Sequence, residues 1–365
     1  MDKIKETPLY QIIINDIQGL IAAEKFDLDK PICTEKSLCE QYNVSRITAK
    51  HALKKLETDG LLYRKRGVGS FVAPSSAGVV SVTNKVFALI IPFVVTQAGM
   101  FMAVEAASQI FSRLRHQLTI HISHSAEQDA ELLRQLYNQG VDGVIYYQRV
   151  SGRASGFPNE ALNRFVENNI PVIVLDKTSP LDHISSVVCD HYRGGYMLAE
   201  HLISYGHKQI CYLSRYTPEV STIHDRYTAY VDCLHENNID IQPQFVHWNF
   251  NERDGYHMLK HLVNNLHLDG VTAIICENDE VAFNVYMCCG SLGIRIPEDM
   301  NITGFDNIEW ATTGSARITT IDQNFPLIGE AVANALLQEK YSPQCYTVPV
   351  QLIPRYSTGK TVKQV

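Results

Sequence analysis

Two different rhythms of apolar residues run along this chain. Over the first seventy-odd residues they recur at helical spacing. Ile13, Ile14, Ile17, Leu20 and Ile21 give a helix predicted over 8–24 one apolar face, and Pro8 suits its first turn. A shorter, more polar helix is predicted over 35–42, with Thr34 where an N-cap belongs and Ser37 and Leu38 following. After a turn at Asn43-Val44, Ser45 caps a third helix whose Ala49, Ala52, Leu53 and Leu56 share a face. That helix is predicted to stop at Asp59-Gly60, the glycine supplying a left-handed C-terminal residue. Leu61-Leu62-Tyr63 and Ser70-Phe71-Val72 read as two short strands joined by a basic, glycine-containing turn. A helix, a turn, a second helix and a hairpin form the layout of a winged helix-turn-helix.

From residue 85 onward the rhythm changes. Continuous apolar runs at 86–91, 118–122, 143–147, 172–175, 187–189, 209–214, 273–276 and 302–305 read as strands. Helical patterns separate them at about 100–115, 126–139, 159–168, 191–205, 224–236, 252–265, 279–292 and 325–338. Apolar strands alternating with amphipathic helices imply parallel sheets covered on both faces. The stretch is longer than one doubly wound sheet needs, so an α/β core of two lobes is expected. Its first lobe spans about 85–214 and 323–347, its second about 215–322 and 348–358. Residues 1–72 read as a separate winged helix-turn-helix domain, and the small-residue stretch 73–84 between the two parts reads as a linker.

Length and composition agree: 365 residues suit two or three compact units, and 45% apolar with 19% charged residues is ordinary for a globular chain. Charge changes the picture more. Residues 1–72 carry 12 Lys+Arg against 10 Asp+Glu, the rest 20 against 29, and residues 44–70 alone 7 against 2. A basic patch on a chain of net charge -7 fits a localised contact with an anion. The nine cysteines show no C-x-x-C spacing, and several sit in strand-like runs, so they read as buried free thiols. The start Met1-Asp2-Lys3-Ile4-Lys5-Glu6 is unlike a signal peptide and no apolar run approaches a membrane span, so a cytoplasmic location is expected. No Gly-x-Gly-x-x-Gly follows a strand, and neither Gly-x-x-x-x-Gly-Lys-Ser/Thr nor Gly-x-Ser-x-Gly occurs. The fourteen histidines are scattered, and His121 with His124 lacks a plausible third ligand nearby. No catalytic residue, cofactor or metal is expected.

Chemistry concentrates in two places. The first is Ser45-Arg46-Ile47-Thr48-Ala49-Lys50 with the hairpin Arg64-Lys65-Arg66-Gly67. The N-terminal residues of a helix in the major groove meet base edges, and hydroxyls and N–H groups there hold phosphates. Arg46 has the fork to donate twice to a guanine, and glycines beside the hairpin cations let backbone approach a phosphate or minor groove. The bland reading of each residue is a solvated helix face or an ordinary polar turn. The second place is the set of loops after the strands of the α/β core, where such sheets bind ligands. There lie Asn278-Asp279, Asp306, Arg226 and Gln323, a carboxylate, amide and guanidinium set matching the paired hydroxyls of a polyol, and Trp248, a possible stacking face. The bland readings are a helix cap for Asp279, a cap for Asp306, a surface ion pair for Arg226 and plain core for Trp248.

Residues 8–72 resemble the N-terminal domain of the GntR family of bacterial regulators. The shared pattern is Pro8-Leu9-Tyr10, Thr34-Glu35, Leu38, Val44-Ser45-Arg46-x-Thr48, Ala52-Leu53-x-x-Leu56, Gly60-Leu61-Leu62 and Gly67-x-Gly69-x-Phe71-Val72. The resemblance implies that Lys36, Ser45, Arg46, Thr48, Lys50, Arg66 and Gly67 face DNA. Cys33 stands where proline is usual, and Ala49-Lys50 where Val-Arg is common. Lysine is a point charge without arginine's planar fork, so the family's base preference does not transfer there.

Residues 85–358 resemble the sugar-binding domain of LacI-type repressors. Matching features are Gly194-Gly195, Gly206-His207-Lys208, Arg226, Thr272-Ala273-Ile274 with Asn278-Asp279, Ile296-Pro297-Glu298-Asp299, Gly304-Phe305-Asp306-Asn307 and Ile353-Pro354-Arg355. The resemblance implies effector contacts at Arg226, Asn278, Asp306 and Gln323, with Trp248 stacking and Asp279 and Gly206-His207 structural. In the first lobe, His124, Phe93, Gln97 and Phe101 lie in suitable loops without a strict motif. A GntR-type reader on a LacI-type core resembles the arabinose repressors of Gram-positive bacteria. It implies a homodimer that binds palindromic operator DNA and is released by a small sugar, first among them a pentose such as L-arabinose. Alternatives are another sugar or a nucleoside as effector, and a co-repressed or activating regulator. A sugar-binding transport protein shares the core but not the N-terminal reader.

Overall fold

A computed structural model describes residues 8–22, 30–65, 68–73, 84–93, 99–149, 157–249, 256–309, 316–338 and 341–359. The chain divides into two compact units, Met1–Asn84 with Arg113–His116 and Lys85–Ser112 with Gln117–Val365.

The first unit contains three helices, α1 (Leu9–Ala22), α2 (Glu35–Tyr42) and α3 (Arg46–Thr58), and a hairpin of β1 (Leu62–Lys65) and β2 (Gly69–Val72). Its core is most of the apolar face expected from the spacing: Ile13, Ile14, Ile17 and Ile21 of α1 meet Leu38, Ala49, Ala52, Leu53 and Leu56, while Leu20, expected on that face, lies at its edge and is 39% exposed. The capping residues act as their positions require. Thr34 Oγ1 accepts the Ser37 N–H at 3.0 Å while the Ser37 hydroxyl accepts the Thr34 N–H at 2.9 Å, a reciprocal box that starts α2. Asn43 ends that helix in the left-handed region at φ 49°, and Ser45 Oγ accepts the Thr48 N–H at 3.2 Å to start α3. Gly60, at φ 71°, turns the chain out of α3. The hairpin pairs Tyr63 with Phe71 and Lys65 with Gly69, antiparallel. Cys33 also bridges to Ser70, its carbonyl accepting the Ser70 N–H at 3.0 Å. That bond uses a group proline also has, so the departure from the family's proline leaves the pairing intact. The turn residues Arg66 and Gly67 and most of the expected linker lie outside the described residues.

The second unit is α/β, built on two parallel sheets. One holds β3 (Val86–Pro92), β4 (Gln117–Ser123), β5 (Gly143–Tyr147), β6 (Val172–Leu175), β7 (Ser185–Cys189) and β13 (Cys345–Val348), in the order β13-β7-β6-β5-β3-β4. The other holds β8 (Ile210–Leu213), β9 (Val246–His247), β10 (Ala273–Cys276) and β11 (Asn301–Thr303), in the order β11-β10-β8-β9. The strands expected from apolar runs are all present, and β5, β6, β8 and β10 are buried along their whole length, as sheets covered on both faces require. The helices between them are α4 (Met100–Arg113), α5 (Ala126–Gln139), α6 (Asn159–Glu167), α7 (His191–Ser204), α8 (Ser221–Glu236), α9 (Tyr256–Leu268), α10 (Asp279–Leu292) and α11 (Phe325–Leu336). A short antiparallel pair, β12 (Thr320–Asp322) with β14 (Gln351–Ile353), runs beside them.

One expected boundary needs correction. The first lobe was expected to run to residue 214, but β8 hydrogen-bonds to β10 and β9, so 210–213 belong to the second sheet. Helix α7 also packs on α8, so the chain leaves the first lobe just after β7. Both sheets have their order reversed once, at β3 between β4 and β5 and at β8 between β9 and β10. The carboxyl ends of those strands are where such sheets open a crevice.

Candidate functional site

Two sets of polar side chains stand out from the cores. In the first unit, the amino end of α3 presents Arg46, exposed over 83% of its side chain. Its neighbour Ile47 is 81% exposed, an apolar residue with no packing role. Lys50 is exposed on the same helix. Ser45 is exposed and Thr48 half-buried at the cap of that helix, their hydroxyls 2.9 Å apart. Lys36 is exposed on α2, 3.8 Å from Glu40. Glu35 was not foreseen at this surface. Its Oε2 accepts the Arg46 Nε–H at 3.1 Å and its Oε1 accepts from Arg64 Nη1 at 3.1 Å. Arg64 Nε in turn lies 2.9 Å from Glu57 Oε1, a charge contact without hydrogen-bond alignment.

In the second unit, charged groups gather at the carboxyl ends of the strands. Arg226, 6% exposed on α8, is at the centre. Its Nη1 donates to the Glu277 carbonyl at 2.5 Å, its Nε to His191 Nδ1 at 3.3 Å, and its Nη2 stands 3.9 Å from Asp306 Oδ1. The guanidinium lies 3.6 Å over the Phe305 ring, so the face is packed while the edge is spent on polar partners. Asp306 sits at φ 108°, held by its own N–H to the Ile321 carbonyl at 2.9 Å. Gln323 Nε2 donates to Asp306 Oδ1 at 2.5 Å. Burial pushes the Asp306 carboxyl up to about 7, against the pull of Arg226 and Gln323. Burial, with the Arg226 charge, pushes His191 down to about 3, so its Nδ1 is a neutral acceptor for Arg226.

The loop geometry separates structural from available groups. Asn278 Oδ1 accepts the Val281 N–H at 3.0 Å and so caps α10. Asp279 is fully buried; its Oδ2 accepts the Ile308 N–H at 2.9 Å and its Oδ1 the Thr320 hydroxyl at 2.5 Å. It therefore ties down the loop carrying Asp306, and Gly304 is there because a Cβ would run into that carboxyl. Trp248, half-buried, packs edge-on against Tyr227 at 4.7 Å and tilted against Tyr212 at 5.4 Å. His124 is exposed and stacks on Phe93 at 4.7 Å; Gln97 lies outside the described residues. The structure thus brings Arg226, Asp306 and Gln323 together directly.

Several groups at these strand ends were missed by sequence reasoning. Asp176 and Lys177 follow β6 and form a buried pair at 2.8 Å, Lys177 also donating to the Gln148 carbonyl at 3.2 Å. Burial alone would raise Asp176, but Lys177 chiefly holds it below the usual carboxylate range. Glu277 follows β10; it accepts from Ser214 at 2.6 Å and from Arg215 Nε at 2.6 Å. The rule that found Asn278 and Asp306, polar residues directly after an apolar strand, applies equally to Asp176-Lys177 and Glu277. Among the described residues no cluster of three His, Cys, Asp or Glu is placed to hold a metal, and no helix is long and apolar enough to cross a membrane. All nine cysteines are free, and seven of them are buried.

Residues 9–72 match the family described as bacterial regulatory proteins, gntR family, and residues 199–358 match the periplasmic binding protein-like domain. The chain is 24% identical over 340 residues to the arabinose metabolism transcriptional repressor of Geobacillus stearothermophilus, covering 92% of each protein. It is 28% identical over 232 residues to the HTH-type transcriptional repressor PurR of Actinobacillus pleuropneumoniae serotype 3 (strain JL03). That match covers 62% of this chain and 66% of the repressor's length, just under two thirds. Among solved structures, a LacI family transcriptional regulator from Enterococcus faecium with bound ribose aligns at a TM-score of 0.63 and 26% identity, covering 76% of this chain and 99% of that one. These relatives are regulators of transcription and not enzymes, in agreement with the expectation from the missing catalytic motifs.

Proposed function

Because the chain joins a gntR-family DNA-binding domain to a periplasmic binding protein-like domain, we propose that it is a sugar-responsive transcriptional repressor. In this reading it binds a palindromic operator as a homodimer in the cytoplasm and is released by a pentose such as L-arabinose. The observation that carries it is the Arg226–Asp306–Gln323 cluster, buried at the strand ends of a core joined to a DNA reader. A guanidinium, a carboxylate and an amide supply the donors and acceptors that adjacent hydroxyls require. Charge supports an uncharged ligand. Lys177, Arg215 and Arg226 each already face a carboxylate, in Asp176, Glu277 and Asp306. A phosphorylated effector would bring in a charge that none of these three cations is free to meet. Arg46, Lys50, Lys36, Ser45, Thr48, Arg66 and Gly67 are assigned to DNA; Arg226, Asp306, Gln323, Asn278, Trp248 and His124 to the effector.

Operator binding measured by gel shift across pentoses, hexoses, nucleosides and purine bases tests the reading. Release by L-arabinose or another neutral sugar is expected. Affinity unchanged by every sugar removes sugar induction. Release or tightening by a nucleoside or purine alone would put that ligand in place of the sugar.

A further inference from the structure

We propose that Glu35 is a positioning residue for base recognition, aiming the Arg46 guanidinium from outside the DNA contact. The inference rests on the reading that the amino end of α3 enters the major groove. An arginine has five N–H donors, and its two terminal nitrogens can make a two-pronged contact with a guanine without the Nε–H. Glu35 takes that donor and leaves both terminal nitrogens of a side chain that is otherwise exposed. The carboxylate is itself held: its second oxygen is bound by Arg64 on β1, and Arg64 also meets Glu57 near the end of α3. A chain of four charges, Glu57–Arg64–Glu35–Arg46, therefore runs from one end of α3 through the hairpin and α2 back to its other end. Glu35 is fixed at its backbone too, since it is the first residue of α2, directly after the Thr34 capping box. An anion beside a DNA contact would ordinarily repel phosphate. Here both of its oxygens are engaged by cations, and it fixes a long, rotamer-rich side chain that would otherwise lose that freedom on binding.

The proposal separates specificity from general affinity. The full chain is used to select a duplex from a randomised library, and binding to that duplex and to random DNA is measured for wild type, Glu35→Gln, Glu35→Ala and Arg46→Ala. Both Glu35 variants are expected to lose roughly 5- to 20-fold in the ratio of selected to random affinity, with random-DNA binding unchanged or tighter, a loss within what one base contact contributes. In the Arg46→Ala background, Glu35→Gln should change the ratio by less than about 2-fold, because its effect passes through Arg46. Equal tightening on both duplexes would make Glu35 only a repelling charge and overturn the proposal. Equal weakening on both, with a lowered melting temperature, would make it only structural and overturn it as well. Failure of the wild type to select any sequence would remove the premise that α3 reads DNA, and the proposal with it.

Discussion

Two buried groups exchange their protonation preferences when this chain folds. Asp306 is raised to about 7 from 3.8, so it contributes stability that is present in acid and lost as pH climbs toward 7. His191 is depressed to about 3 from 6.5, so it contributes stability that is present above 6.5 and lost as pH falls toward 3. Between about pH 4 and 6.5 the folded chain holds the proton on Asp306 and the unfolded chain holds it on the histidine, so the two slopes cancel. Single substitutions break the balance. Without sugar, Asp306→Asn should gain about 1.4 kcal/mol relative to wild type on going from pH 5 to pH 6, and His191→Asn should lose about as much. Urea unfolding at the two pH values measures this, and variants that track the wild type would deny both protonation states. This coupling was not legible in the sequence. Asp306 stood out by its place after a strand, but His191 opens α7 some 115 positions away, and only the fold sets it against Arg226.

At the scale of elements, one glycine fixes how closely two helices meet. Gly195 of α7 faces α8, and a Cβ there would lie 2.6 Å from the Arg226 carbonyl oxygen and 2.8 Å from its Cα. Backbone cannot yield as a side-chain tip can, so Gly195→Ala should push the Arg226 segment outward. The expected cost is about 1–3 kcal/mol of unfolding free energy, as for other overpacked cores, with at least a tenfold loss of affinity for the proposed sugar effector. Denaturant unfolding and titration calorimetry read the two effects; an alanine variant of wild-type stability and affinity would show that α7 and α8 separate freely. Elements of this kind were readable because their signals are local: four-residue apolar runs for β6 and β8, capping residues for α2 and α3. The short strands β9, β12 and β14 carry too few residues for a period to appear. The lobe assignment of β8 failed for a different reason, since pairing with β9 and β10 joins segments far apart in sequence.

At the scale of the whole molecule, the proposed switch obeys a constraint independent of its mechanism. A ligand moves the equilibrium between DNA-binding and released forms only through its difference in affinity for the two. If L-arabinose lowers operator affinity by some factor, the operator must lower L-arabinose affinity by the same factor, about 5- to 150-fold for typical couplings. Calorimetric titration of the sugar into the full chain, with and without saturating operator duplex, should give the factor found by gel shift. Asp306→Ala should abolish sugar binding and leave operator affinity within about twofold, because Asp306 sits in the second unit with Arg226 and Gln323. Sugar binding equally tight with and without operator would uncouple the two domains, whatever the pocket holds. In that case the acidic core would serve only as a scaffold for the basic reader, and Arg226, Asp306 and Gln323 would have no route to transcription.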